Sequence, residues 1–165
     1  MPDGQAGTAP REATPPSELP TWNLADLYEA PDSAQLAADL DRAEAAAKTF
    51  AATYAGTLAG LSGAALAEAI AAYERIEETL GRALSYAQLR FAGDSTDPAI
   101  GRFVQSMNER ATAISSDLIF FTLELNRLDD AALEAKLGSP ELAPWRPWLR
   151  DLRVFRPHQL SDELE

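Results

Sequence analysis

The sequence contains no cysteine and a single histidine, His158, and these shortages exclude several kinds of functional site. A protein zinc site normally takes three or four ligands from histidine, cysteine and carboxylate side chains. One imidazole and no thiol cannot supply the usual set, so a bound metal would need almost entirely oxygen ligands. A cysteine nucleophile is absent, and a serine–histidine–acid triad could use only His158.

Positive charge is also scarce, because 26 acidic and 14 basic residues among 165 give a net charge of −12. Nucleic-acid binding requires a cationic surface that displaces counterions from phosphate, and this chain would be repelled. The same repulsion argues against an anionic membrane surface. The sequence has no apolar run of about 18 residues and no secretory signal. We therefore expect a cytoplasmic protein with no nucleic-acid or membrane partner.

Proline is nearly absent from the middle of the chain, where only Pro98 lies between Pro31 and Pro140. This distribution favours long helices, and a hydrophobic content of 46% is typical of a globular domain. Residues 1–18 combine glycine, proline, serine, threonine and charge with few large apolar side chains. They are predicted to form a disordered tail, so the ordered domain is predicted to cover residues 19–165.

Apolar residues at spacings of three and four predict three long helices. The first helix is predicted from Asp32 to about Gly56, with a capping box formed by Asp32 and Gln35. The second is predicted to follow Ser62 and to end near Gly93, and the third to begin at Asp97-Pro98 and to continue through Leu125. Gly81, inside the second helix, predicts the close approach of a neighbouring helix.

Shorter helices are predicted after the third one, at residues 129–137 and from Trp145 onward. Short connections between helices favour antiparallel neighbours. The predicted fold class is therefore all-α, an antiparallel helical bundle or hairpin array of three long helices plus short C-terminal helices. Ser161 resembles a helix start only four residues before the chain stops, so we expect a fragment of a longer polypeptide.

Four arginines, Arg146, Arg150, Arg153 and Arg156, recur at spacings that align them on one face of a helix. A guanidinium group can bind a carboxylate with two parallel hydrogen bonds. Arg146, Arg150 and Arg153 are therefore candidates for binding the C-terminal carboxylate of a peptide. The alternative is that these arginines pair with acidic residues of the same domain or of another domain.

Two further residues have a functional and a structural interpretation. His158 could be a metal ligand, or it could have a structural or hinge role beside Pro157. Glu124 lies among apolar residues and could be a buried carboxylate for acid–base chemistry, or it could pair with Arg127 or Arg90. No catalytic or metal-binding residue is predicted in this chain, because a single carboxylate makes no mechanism.

Three segments resemble oligoendopeptidase F enzymes, which are thimet-oligopeptidase-like zinc metallopeptidases. The segments are Leu-Pro-Thr-Trp-Asn-Leu-Ala-Asp-Leu-Tyr at residues 19–28, Phe-Phe-Thr-Leu-Glu-Leu-Asn at residues 120–126 and Pro-His-Gln-Leu-Ser-Asp-Glu-Leu-Glu at residues 157–165. They occur in the expected order. The resemblance implies that residues 19–165 are the N-terminal helical lobe of a larger peptidase, which helps to wall a channel for short peptides.

In this family a downstream domain carries His-Glu-x-x-His and a further glutamate ligand, and that motif is absent here. The resemblance implies a zinc-dependent parent enzyme that cleaves oligopeptides internally, with zinc activating the attacking water. The present chain alone is expected to hold no zinc and to be no enzyme. Its implied partner is the missing catalytic domain of the same polypeptide, and the separated lobe could self-associate. The alternative is a stand-alone helical protein-interaction module.

Overall fold

The computed structural model describes residues 22–154 and 156–158, which contain six α-helices and no strand. The helices are α1 (Ala34–Tyr54), α2 (Gly63–Gly93), α3 (Pro98–Ser116), α4 (Ile119–Arg127), α5 (Asp130–Leu137) and α6 (Arg146–Arg153). Short 3-10 turns occupy Leu58–Gly60, Pro140–Trp145 and Arg156–His158. The predicted all-α fold is confirmed, whereas the tail predicted at residues 1–18 and the cap predicted at Ser161 lie outside the described residues.

The long helix α2 is the centre of the molecule, and α1 packs against it in the antiparallel direction. Asp39 near the start of α1 lies 3.8 Å from the Arg82 guanidinium in the second half of α2. Phe50 near the end of α1 lies with its ring centre 6.2 Å from that of Tyr73. Residue numbers thus rise along one helix while they fall along its neighbour.

Helix α3 packs beside both α1 and α2 and completes the antiparallel array that the sequence predicts. The Phe103 ring meets Tyr86 of α2 edge-on, with ring centres 6.0 Å apart. Arg110 of α3 forms an ion pair with Asp41 of α1. The apolar stripes of all three helices contribute to one buried core, as their spacing indicates.

Helices α1, α2, α3 and α5 begin after side-chain caps, and one predicted cap is wrong. Ser62 accepts a hydrogen bond from the Ala65 backbone at 3.1 Å, and Asp97 precedes Pro98 as predicted. Helix α1 is capped by Ser33, not by Asp32. A hydrogen bond of 3.1 Å from the Ser33 nitrogen to the Ala30 carbonyl closes a turn around Asp32, so the helix begins one residue later.

The single third helix predicted through Leu125 is also wrong, because Asp117 and Leu118 separate α3 from α4. Here backbone hydrogen bonds connect residues three apart, which tightens the chain relative to an α-helix. The break follows Ser115 and Ser116, and serine and aspartate are weak helix formers because their side chains compete for backbone groups. Hydrophobic periodicity continues across the break and conceals it.

After this break, two aromatic residues of α4 pack at the end of α1. The ring centres of Phe120 and Phe121 lie 5.8 Å and 5.0 Å from that of Phe50. The ring of Phe121 also lies 5.0 Å from that of Tyr73 of α2. Helix α4 therefore packs where the C-terminal end of α1 faces Tyr73 of α2.

The close contact predicted at Gly81 occurs elsewhere. A Cβ atom at position 81 would meet nothing within 4 Å, so no neighbouring helix requires glycine there. At Gly63, in contrast, a Cβ atom would lie 2.4 Å from Ser139 Cβ and 2.5 Å from the Lys136 carbonyl oxygen. The end of α5 thus packs directly on the first turn of α2.

The helix predicted from Trp145 is confirmed as α6, and it docks on the bundle through apolar side chains. Leu149 is fully buried, and the Trp148 ring centre lies 6.2 Å from that of Tyr73. The Trp145 indole donates a hydrogen bond of 3.3 Å to Glu74. Among the described helices, none is both long and apolar enough to cross a membrane.

Candidate functional site

The arginines predicted to bind a peptide carboxylate lie on α6, but their guanidinium groups have different surroundings. Arg146 donates to the Leu137 carbonyl at the C-terminal end of α5. Arg150 pairs with its neighbour Asp151 at 2.7 Å, and its side chain remains 74% exposed. Both side chains are exposed, but Arg146 also connects α6 to the end of α5, whereas Arg150 pairs only with its neighbour.

Arg153 is the most enclosed of these side chains, with only 13% of its surface exposed. It donates to the Leu125 and Leu128 carbonyl oxygens, each at 2.9 Å, and also contacts Asp130. These carbonyls end α4 and lack partners within the helix, so the guanidinium satisfies them and stabilises the negative end of the helix dipole. Arg153 thereby connects α6 to α4.

The fourth arginine, Arg156, approaches the same carboxylate as Arg153. Its guanidinium lies 2.8 Å from Asp130. The hydrogen bond from Arg153 and the positive charge of Arg156 lower the pKa of Asp130, because they stabilise its charged form. The four arginines do not converge on one point, and peptide binding by Arg146, Arg150 and Arg153 stays a prediction.

Glu124 makes a contact that the sequence did not reveal. Its carboxylate accepts a hydrogen bond of 2.7 Å from the backbone nitrogen of Gly56, which is 68 residues away in the chain. Gly56 has a φ of 75°, a conformation that glycine adopts without strain. Glu124 therefore fixes α4 against the turn that follows α1. His158 is exposed, in the last described turn.

A buried polar cluster at the start of α1 was also missed from the sequence. Asp39 is only 4% exposed, and it accepts a hydrogen bond of 3.0 Å from the Tyr28 hydroxyl. Arg42 pairs with the same carboxylate, and the Arg82 guanidinium lies above the Tyr28 ring at 5.7 Å from its centre. Burial and the bond to Asp39 raise the pKa of Tyr28. The cluster joins the N-terminal segment to α1 and α2.

A groove of about 620 Å³ begins at this cluster and runs between α1 and α2. We call it the α1–α2 groove. Its apolar lining residues are Ala43, Ala45, Ala46, Phe50, Tyr54, Ala72 and Ile76, and its polar ones are Asp39, Arg42, Thr49, Thr53, Arg75, Thr79 and Arg82. Most of these residues lie beside the core stripe of each helix, so the hydrophobic pattern did not single them out.

The described residues do not fit a zinc ion. In residues 22–154 and 156–158, no three histidine, cysteine, aspartate or glutamate side chains come together as a ligand set. The zinc ligands that the family resemblance implies belong to a motif that this sequence does not contain. No step of a zinc reaction can therefore be assigned to the part of the chain that the structure describes.

Comparison with known proteins gives one match. The family model described as oligopeptidase F matches residues 124–165, which begin in α4, continue through α5 and α6 and include the four arginines. No curated protein and no solved structure matches the chain. The predicted resemblance is thus confirmed for residues 124–165, which are similar to the oligopeptidase F family.

Proposed function

We propose that this chain is the non-catalytic N-terminal lobe of a zinc-dependent oligopeptidase. In this proposal it helps to wall a channel in which a His-Glu-x-x-His domain of the same polypeptide cleaves short peptides internally. The observation that carries the proposal is the match of residues 124–165 to the oligopeptidase F family. The proposed location of the enzyme is the cytoplasm.

The tight docking of α6 supports a role as a wall. The enclosed Arg153 fixes α6 to α4, and the buried Leu149 fixes it to the core. A helix held in this way can present an exposed side chain at a constant position. In this proposal Arg150 contacts the C-terminal carboxylate of the peptide, assisted by Arg146, while Arg153 holds the helix in place.

The coding sequence beyond Glu165 provides the most direct test. We expect roughly 400 further residues that include His-Glu-x-x-His on a predicted helix, followed by another acidic ligand a few turns later. A stop codon shortly after Glu165 would overturn the proposal, because the catalytic domain of the same polypeptide would then be missing.

In the full-length enzyme, Arg150→Ala should raise the KM for peptides with a free C-terminal carboxylate by about tenfold, the equivalent of one charge-assisted contact. The KM for the same peptides with an amidated C-terminus should not change. Arg102→Ala is the matched control, because Arg102 is an exposed arginine on α3. Equal KM changes for both peptide forms would contradict carboxylate binding by Arg150.

The alternative function is a stand-alone helical interaction module without enzymatic activity. The α1–α2 groove favours it, because a groove lined by small side chains can admit another helix. Four large apolar side chains that are exposed within the described residues, Trp22, Phe91, Ile119 and Val154, support contact with a partner or self-association. Sedimentation analysis of the isolated chain measures the self-association directly.

A further inference from the structure

We propose that the α1–α2 groove is a docking site for an acidic amphipathic helix of a partner protein. The helix would place small or aliphatic side chains in the groove and carboxylates beside its arginines. This inference does not rest on the peptidase function, because the groove lies on α1 and α2 and outside the residues that match the oligopeptidase F family.

The charge of the groove is opposite to that of the molecule. Three arginines, Arg42, Arg75 and Arg82, line it together with a single carboxylate, Asp39, whereas the whole chain has a net charge of −12. Asp39 is buried and already accepts hydrogen bonds from Tyr28 and Arg42. The groove therefore attracts carboxylates while the surrounding surface repels them.

Arg75 is the arginine of the groove whose guanidinium is most open to a ligand. Its side chain is exposed, and within the described residues its guanidinium makes no hydrogen bond or ion pair. Arg42 and Arg82 both approach Asp39, at the end of the groove that lies near the start of α1. Arg75 lies about two turns of α2 from Arg82, toward the start of α2. A bound helix could therefore place carboxylates at two positions along its length.

The remaining lining favours a helix over an extended peptide. The hydroxyl groups of Thr49, Thr53 and Thr79 each donate to a carbonyl of their own helix, at 2.9 Å, 2.8 Å and 3.0 Å. They are thus already engaged, and the alanines of the groove offer no polar group. An extended peptide would leave its backbone groups without partners, whereas a helix satisfies them internally.

The dimensions also fit a helix. From Asp39 to Tyr54 the groove follows α1 for about 22 Å, which corresponds to about four turns of a bound helix. Small side chains such as Ala46 and Ala72 line the approach, and small residues allow helix axes to come within about 8 Å of each other. A double-stranded nucleic acid would meet the negative surface on either side and is excluded by charge.

The test uses the full chain and a fluorescent helix-forming peptide of about 18 residues, with alanine and leucine on one face and glutamate along its flanks. We expect fluorescence anisotropy to show binding that Arg75→Glu weakens by about tenfold. Arg102→Glu makes the same charge change at an exposed position of α3 and should alter the affinity less than twofold. A peptide with lysine in place of glutamate should bind R75E better than it binds the wild type.

A second pair of variants tests the shape of the site. Ala46→Trp fills the groove from an exposed position of α1 and should abolish binding of the peptide. Ala113→Trp, at an exposed position of α3 outside the groove, should leave the binding unchanged. Circular dichroism checks that both variants remain folded. No binding by the wild type, or equal losses in R75E and R102E, would overturn the proposal. A wild-type dimer that A46W dissociates would also overturn it, because the occupant would then be a second copy.

Discussion

At the scale of single residues, Asp39 is the charged group whose loss should cost the most stability. It is buried, and three side chains approach its carboxylate: Tyr28 of the N-terminal segment, Arg42 of α1 and Arg82 of α2. Removing it leaves the buried Tyr28 phenol without its acceptor, whereas the Arg42 and Arg82 side chains, 69% and 40% exposed, remain open to water. The cost of the unpaired phenol and of the lost charge-assisted contacts exceeds the gain from relieving the burial of one carboxylate.

Asp39→Ala should therefore lower the free energy of unfolding by about 2 kcal/mol. Tyr28→Phe, which removes only the phenol donor, should lower it by about 1 kcal/mol. The matched control is Asp41→Ala, because Asp41 is 73% exposed and pairs with Arg110 at the surface, where such pairs contribute less than about 1 kcal/mol. Urea unfolding compares the three variants, and equal losses for D39A and D41A would contradict the role of burial.

Tyr73 should make the stability of the protein depend on pH in alkaline solution. Burial raises the pKa of Tyr73 from 10.0 to about 12, with a smaller contribution from the charge of Glu77. The folded state therefore favours the protonated phenol. The contribution of the protonated Tyr73 phenol to the free energy of unfolding is complete below pH 10, the pKa of tyrosine in the unfolded chain. It is lost as the pH rises toward about 12, the pKa of Tyr73 in the folded protein.

Tyr73→Phe cannot ionise, so its free energy of unfolding should fall less than that of the wild type in this range. The difference should reach up to about 3 kcal/mol near pH 12, since one pKa unit corresponds to about 1.4 kcal/mol. Urea unfolding of both proteins at pH 8, 10 and 11.5 measures it, with the pH 8 comparison reporting the effect of the hydroxyl itself. Parallel pH profiles would show that Tyr73 ionises as readily in the folded protein as in the unfolded one.

At the scale of elements, local signals predicted most helix ends, and long-range packing decided the rest. The helices predicted after Ser62, at Asp97-Pro98 and at residues 129–137 begin where expected, and Ser62, Asp97 and Asp129 cap them, because a cap requires only a side chain and the next two or three backbone nitrogens. The start of α1 was wrong by one residue because a turn around Asp32 competes with the cap. The break at Asp117 was missed because α4 continues the apolar spacing of α3.

Two glycines of α2, Gly63 and Gly81, provide a prediction for which the sequence alone gave the wrong position. Gly81→Ala should raise the free energy of unfolding by about 0.5 to 1 kcal/mol, because a Cβ atom there meets nothing and alanine is the better helix former. Gly63→Ala should lower it by about 1 to 3 kcal/mol, because its Cβ atom would collide with backbone and Cβ atoms near the end of α5. Thermal unfolding ranks both variants against the wild type. The same sign for both would contradict the packing of α5 on α2.

At the scale of the whole molecule, the sequence predicted the fold class and the similarity of residues 124–165 to the oligopeptidase F family, but it did not predict the surfaces. The arginine spacing placed Arg146, Arg150 and Arg153 on one helix, as observed, yet only the structure shows that Arg153 is enclosed by α4 carbonyls. The α1–α2 groove and the contact between Glu124 and Gly56 join residues far apart in the chain. Such pairs leave no periodic signal, because their proximity results from how the helices pack.

The composition of the whole chain leads to the last prediction, which concerns catalysis. The isolated 165 residues have one histidine and no cysteine, and the family's zinc motif is absent. A net charge of −12 attracts divalent cations without a defined site, so weakly bound metal must first be removed by dialysis. After dialysis we expect less than about 0.1 zinc ion per chain, since a zinc site needs three or four protein ligands.

We also expect no cleavage of quenched fluorescent peptides, and the full-length enzyme assayed in parallel is the positive control. Peptide turnover by the isolated chain that a chelator abolishes and zinc restores would contradict the division of roles between this lobe and a separate catalytic domain.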